Sequence, residues 1–204
     1  MSTNRSRDWY KRPFDLVFVV VTHLLLFPFL VVFWAMLSFA IWIEDRGPVF
    51  YTQLRVGKNN KEFKLVKFRT MSVNAEQLTG PVWASVEDSR VTRVGKLLRR
   101  YRIDEMPQVL NIVKGDMSIV GPRPERPFFV TQLSEKIPYY NLRHKMKGGI
   151  TGWAQINQGY ASGEKESETK LEYDLYYIKW MGFTIDVLVI LRTLFVLSKG
   201  LGAK

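Results

Sequence analysis

The sequence predicts an α+β membrane-associated protein: an N-terminal kinked re-entrant membrane helix, then a small cytosolic domain with a short β-hairpin and several interfacial amphipathic helices. Three observations carry this. Residues 16–43 contain no Asp, Glu, Lys or Arg; cations crowd both sides of them; and two short strand patterns around a glycine turn lead into helix-length apolar periodicities. The 204 residues divide into a basic flank (1–15), the membrane helix (16–43) and the cytosolic domain (44–204). Lys and Arg number 30 against 19 Asp and Glu, a net charge of +11. Such an excess calls for an anionic partner: nucleic acid, anionic lipid or a phosphorylated substrate. There is no cysteine, hence no disulfide framework or thiolate metal site. With only His23 and His144, a zinc or Ser-His-Asp centre is disfavoured.

The apolar run comes first. A straight helix over residues 16–43 would be ~40 Å long, enough to cross a hydrocarbon core of about 30 Å. Pro28 falls near its middle, where it removes a backbone donor and clashes with the Leu24 carbonyl, so a kink is expected. Both flanks are basic: Arg5, Arg7, Lys11 and Arg12 before, then Arg46, Arg55, Lys58, Lys61, Lys64, Lys67 and Arg69 after. A spanning helix asks for one basic flank. A helix that enters, breaks at Pro28 and returns to the same face satisfies both facts, with arms of ~18–22 Å. A plain kinked transmembrane helix is the competing reading.

Residues 49–56 and 63–68 read as two strands joined by a turn at 57–60. Residues 72–88 read as a polar loop with a short helix. Val91, Val94, Leu97, Leu98 and Tyr101 fall at helical spacing, with basic residues on the opposite face. A short strand over 117–120 delivers the Gly121-Pro122-Arg123-Pro124 turn, and residues 148–153 form a glycine-rich turn that lacks the lysine of a phosphate-binding P-loop. A helix opens in the acidic stretch 164–172 and runs through Tyr173, Tyr176 and Tyr177. Residues 183–197, apolar apart from Asp186 and Arg192, read as an interfacial or core helix.

The chemistry concentrates in residues 99–126, RRYRIDEMPQVLNIVKGDMSIVGPRPER. Asp104 and Glu105 stand together among Arg99, Arg100, Arg102, Arg123 and Arg126. A carboxylate pair inside positive charge suits phosphoryl chemistry: the carboxylates hold a divalent ion or attack phosphorus, and the arginines neutralise phosphate oxygens. The same residues read equally as helix punctuation, with Asp104 as N-cap, Pro107 in the first turn and Gly115 at the C-terminal stop.

Together the stretches KRPFDLV, GPVFYTQLRVG, FKLVKFRTM, TRVGKLLRRYRIDEMPQVLNIVKGDMSIVGPRPERP, GITGWAQIN and YDLYYI resemble the bacterial sugar transferases, the monotopic polyprenyl-phosphate phosphoglycosyl transferases. The likeness runs from about Lys11 to the C-terminus, in a form without the large N-terminal membrane domain of many members. It implies that Asp104 is the nucleophile and binds Mg²⁺, and that Glu105 assists. It further implies that Lys67, Arg69 and Arg99 hold phosphates and that Pro122, Arg123 and Pro124 meet the nucleotide. The implied substrates are a UDP-sugar and undecaprenyl phosphate, at the inner face of the bacterial cytoplasmic membrane, with its lipids as partners and no nucleic acid. Association of two copies is left open, as is the sugar. Phe27 before Pro28, Arg102 before the carboxylates and Gly148 before Gly149 depart from the usual pattern. A membrane-tethered basic module without catalysis and a glycosyltransferase releasing UDP are the alternatives.

Overall fold

The longest apolar run in the sequence becomes the longest helix. In the computed structural model, which describes residues 9–75, 80, 88–158 and 163–199, α1 spans Lys11–Asp45 and so extends beyond the apolar run at both ends. It continues helical through Pro28, where a break was expected. A proline deletes one hydrogen bond and its neighbours persist, which bends a helix without ending it. Only Lys11, Asp15, Val19 and Ile41 of α1 are buried, while Leu24, Leu25, Phe27 and Phe29 are exposed. Among the described residues α1 is the one helix long and apolar enough to cross a membrane.

Both ends of α1 rest on the same body. At its start, Lys11 Nζ donates to Tyr177 Oη at 2.7 Å and pairs with Asp186 at 2.8 Å. Arg12 Nη2 donates to the Val113 carbonyl at 2.8 Å, at the end of the helix over Val109–Lys114, and Asp15 accepts from Ser118 Oγ and the Ile119 amide at 3.1 and 3.0 Å. Lys11 and Arg12, part of the basic flank in the sequence, thus bond to the body. At its far end, Asp45 accepts from Arg69 Nη1 at 3.0 Å, while Trp34, Leu37 and Ile41 pack on Phe68 and Leu98.

β1 (Phe50–Val56) and β2 (Glu62–Phe68) form an antiparallel hairpin in which Tyr51 faces Lys67. Its turn places Asn59 and Asn60 in the left-handed region, which asparagine tolerates. α2 (Arg93–Arg100) starts two residues after Val91, where the helical spacing begins; Thr92 Oγ1 accepts from the Gly95 amide at 2.9 Å, and Glu44 accepts from the Arg93 and Val94 amides. A Cβ at Gly95 would lie 2.1 Å from the Thr70 carbonyl oxygen. The missing side chain is what lets α2 sit directly on the backbone after β2.

A 3₁₀ turn over Ile103–Gln108 continues into α3 (Val109–Lys114), closed as expected by a left-handed Gly115. β3 (Met117–Val120) pairs in parallel with β4 (Gly148–Thr151), where the sequence suggested only a turn. A Cβ on Gly149 would meet the Gly121 amide nitrogen at 2.1 Å, so glycines here permit a close strand approach. α4 (Pro127–Lys136), α5 (Trp153–Asn157), α6 (Glu164–Trp180) and α7 (Phe183–Ser198) complete the body. The largest core cluster joins Val19 of α1 to Ile112, Met117, Val120, Tyr177 and Val189, so the apolar helix is part of the fold it anchors. Leu97 on α2, Leu110 and Val113 on α3, and Leu191, Leu194 and Phe195 on α7 remain exposed, as interfacial helix faces do. The loop predicted at 72–88 lies largely outside the described residues.

Candidate active site

The carboxylate pair is set by backbone geometry before any side chain acts. Arg102 adopts a left-handed conformation, φ 52°, ahead of the 3₁₀ turn. The chain reverses there and carries Asp104 and Glu105 inside, against β2. Asp104 is therefore an interior residue of the turn and caps no helix, unlike its punctuation reading. Both carboxylates are buried, at 7% and 6% exposure.

Their surroundings differ sharply. Glu105 is gripped in bidentate fashion by Arg123, with Nη1 donating to Oε2 at 3.0 Å and Nη2 to Oε1, and Arg102 approaches at 3.4 Å. Burial pushes its carboxyl upward, but Arg123 and Arg102 outweigh this and hold it below the ordinary range. The Asp104 carboxylate makes no hydrogen bond or ion pair among the described residues. Burial, with the adjacent Glu105 charge, raises it to about 6 against the pull of Lys67, Arg123 and Arg99. One carboxylate is thus a fixed anion, and the other is a poised one.

Three cations converge on Asp104 from three elements. Lys67, on β2, is half-buried and pairs with no carboxylate among the described residues; burial lowers its ammonium to about 8, while Asp104 opposes the shift. Arg99, on α2, is oriented by donating Nε to Thr70 Oγ1 at 2.8 Å. Arg123 comes from the Pro-Arg-Pro turn, all of whose carbonyls are held. Pro122 O accepts from the Gly149 amide at 3.0 Å, Arg123 O from Arg143 Nη2 at 2.9 Å, and Pro124 O from Arg55 Nη1 at 3.0 Å. The structure therefore brings together Lys67, Arg99, Asp104, Glu105 and Arg123, with Pro122 and Pro124 framing the last. It does not bring Arg69, whose guanidinium is spent on Asp45 and the Ile41 carbonyl at the end of α1. Pro28 lies apart, in the exposed middle of α1.

Behind the turn is a charge network that sequence reading missed. Arg143 pairs with Asp174 at 2.7 Å, and both are almost fully buried. Glu125 is bonded by Lys170 and paired with Arg55 at 3.4 Å. Burial alone would raise Glu125; Lys170 and Arg55 bring it down to about 2. Asp174 carried a readable signal: it shares the buried stripe of α6 with Leu171 and Tyr177, and a charge on such a stripe requires a buried partner.

No group of three His, Asp or Glu side chains able to hold a metal occurs among the described residues. A single free carboxylate still fits Mg²⁺, which keeps one or two carboxylate ligands and takes the rest from water and substrate phosphates. The arrangement can bind a diphosphate between three cations and present a carboxylate oxygen to its phosphorus.

The family described as bacterial sugar transferase matches residues 6–200. The chain is 44% identical over 196 residues to UDP-N-acetylgalactosamine-undecaprenyl-phosphate N-acetylgalactosaminephosphotransferase of Aeromonas hydrophila, covering 95% of this chain and 45% of that protein. It is 40% identical over 189 residues to UDP-glucose:undecaprenyl-phosphate glucose-1-phosphate transferase of Escherichia coli K12, covering 91% and 39%. It is 36% identical over 188 residues to exopolysaccharide production protein PSS of Rhizobium leguminosarum bv. phaseoli, covering 90% and 92%. The chain thus spans less than half of the first two proteins and nearly all of the third. With the match running through every element that builds the carboxylate site, the chain belongs to the bacterial sugar transferase family.

Proposed function

We propose that this chain transfers a sugar-1-phosphate from a UDP-sugar to undecaprenyl phosphate and releases UMP. The observation that carries the reading is the buried Asp104, without an ion-pair partner among the described residues, facing Lys67 beside the Glu105–Arg123 pair. An Asp104 oxygen attacks the sugar-bearing phosphorus of the donor. The bond from that phosphorus to the bridging oxygen breaks, and UMP leaves with the electron pair. Asp104 is then an acyl phosphate carrying the sugar. An oxygen of undecaprenyl phosphate attacks the same phosphorus, the carboxylate leaves, and undecaprenyl-diphospho-sugar forms. Lys67, Arg99 and Arg123 neutralise the phosphate oxygens in both displacements. Glu105 keeps Arg123 aimed. Mg²⁺, held by Asp104 together with donor phosphate oxygens, would neutralise charge on the diphosphate and the departing UMP.

The lipid acceptor explains the membrane parts. We place α1 as a re-entrant helix bent at Pro28, in the bacterial cytoplasmic membrane, with the body on the cytoplasmic side. Docking of both its ends onto one body, with the apolar middle outward, supports this over a span. Tags at Met1 and after Lys204 should both be cytoplasmic; an external Met1 would sink the re-entrant arrangement.

The test of function is nucleotide release by detergent-solubilised protein with Mg²⁺, undecaprenyl phosphate and a panel of UDP-sugars that includes UDP-glucose and UDP-N-acetylgalactosamine. UMP that appears with one donor and disappears on chelation supports the proposal. UDP in its place would indicate transfer of the sugar alone.

A further inference from the structure

Lys67 holds its place beside Asp104 without an ion pair among the described residues. Tyr51 lies directly opposite it in the β1–β2 register, and Lys67 Nζ stands 5.3 Å from the centroid of the Tyr51 ring. Side chains alternate along a strand, so Tyr51, Gln53 and Arg55 share one face. On that face they are joined: Arg55 Nη2 donates to Gln53 Oε1 at 2.6 Å, and Gln53 Nε2 donates to Tyr51 Oη at 3.3 Å. Arg55 also donates to the Pro124 carbonyl and pairs with buried Glu125. A ladder of side chains therefore runs from the turn that carries Arg123 to the ring beside Lys67.

We infer that Tyr51 is a positioning residue for Lys67, whose ring holds the ammonium toward Asp104 while leaving its N–H donors for the donor phosphate. An aromatic face attracts a cation through its quadrupole and consumes none of its hydrogen-bond donors. A carboxylate in that place would neutralise Lys67 and compete with the phosphate. The ladder sets the two phosphate-binding cations, one on a strand and one on a turn, in a single frame. This rests on the phosphosugar transfer proposed above.

The test is a double-mutant cycle on the full chain, read as kcat and KM for UMP release and, separately, as affinity for UDP by calorimetry. Tyr51→Phe keeps the ring and should stay within about twofold of wild type. Tyr51→Leu should lower kcat/KM roughly 2- to 30-fold, the span expected of a lost cation–π contact. In a Lys67→Met background, Tyr51→Leu should cause no further loss in either readout. Losses that multiply in the double variant, or a Phe variant as impaired as the Leu variant, would overturn the role of the ring. A wild-type protein that binds UDP but releases no UMP would contradict the proposed reaction instead, and the same non-additivity is then expected in UDP affinity.

Discussion

Two buried charge clusters meet at Arg123, whose side chain belongs to one and whose carbonyl is held by the other. Behind the Pro-Arg-Pro turn every charge has a partner: Arg143 pairs with Asp174, and Glu125 is shared by Lys170 and Arg55. In front of it, Glu105 is paired, but Asp104 and Lys67 lack ion-pair partners among the described residues. Burying a charge is costly unless it is paired and hydrogen-bonded. The rear cluster obeys this within the protein; the front would obey it with the phosphate and cation of the proposed reaction bound. Completeness of pairing separates a scaffold from a site.

The largest expected effect breaks the front alone. Asp104→Asn should cut UMP formation by on the order of 10³-fold or more, as loss of a nucleophile does. It should also raise stability. Because the folded pKa of about 6 lies above the unfolded value, the ionised form is disfavoured in the fold. The gain, about 1–3 kcal/mol, should be present above pH 6 and fade as pH falls from 6 toward 3.8. Thermal melts at pH 8 and pH 4 read it directly.

Breaking the rear should do the reverse. Asp174→Asn leaves Arg143 buried without a countercharge, which costs about 3–5 kcal/mol and should lower Tm by about 10 °C. Activity per folded molecule should fall far less than in Asp104→Asn.

The pH profile sharpens the contrast. The proposed reaction uses an ionised Asp104 and a charged Lys67, so kcat/KM should fall below about pH 6 and again above about pH 8. Lys67→Arg, always charged, should remove the alkaline limb. By contrast, a limb that persists in Lys67→Arg would assign it to another group.

The smallest effect concerns Arg69. Its bonds to Asp45 and Ile41 make it a fastening for α1. Arg69→Met should destabilise by about 1–3 kcal/mol while leaving activity per folded molecule within about twofold. A tenfold loss of activity would restore the phosphate contact that the family resemblance implies.

Local signals made much of this legible. The charge-free run 16–43 announced α1, alternation and a glycine turn announced the hairpin, and Gly115 announced the end of α3. The cations around Asp104-Glu105 announced a charge cluster there. What stayed hidden depends on contacts between distant segments. Nothing in KRPFD says that Lys11 meets Asp186 or that Asp15 meets Ser118. The parallel pairing of β3 with β4 was masked because Gly148 and Gly149 read as a turn, though glycine there serves close approach to Gly121. Lys67 and Arg69 look alike in sequence, two residues apart; only the fold sends one to the carboxylates and the other to the end of α1.

In the proposed reaction Asp104, without an ion-pair partner among the described residues, attacks phosphorus. The direct measurement is intact-protein mass spectrometry after mixing with the active UDP-sugar and Mg²⁺ but no undecaprenyl phosphate. The expected result is an adduct of one sugar-phosphate mapped to the Asp104 peptide, with a stoichiometric burst of UMP, both absent in Asp104→Asn. UMP released without an adduct, or an adduct that persists in Asp104→Asn, would contradict it.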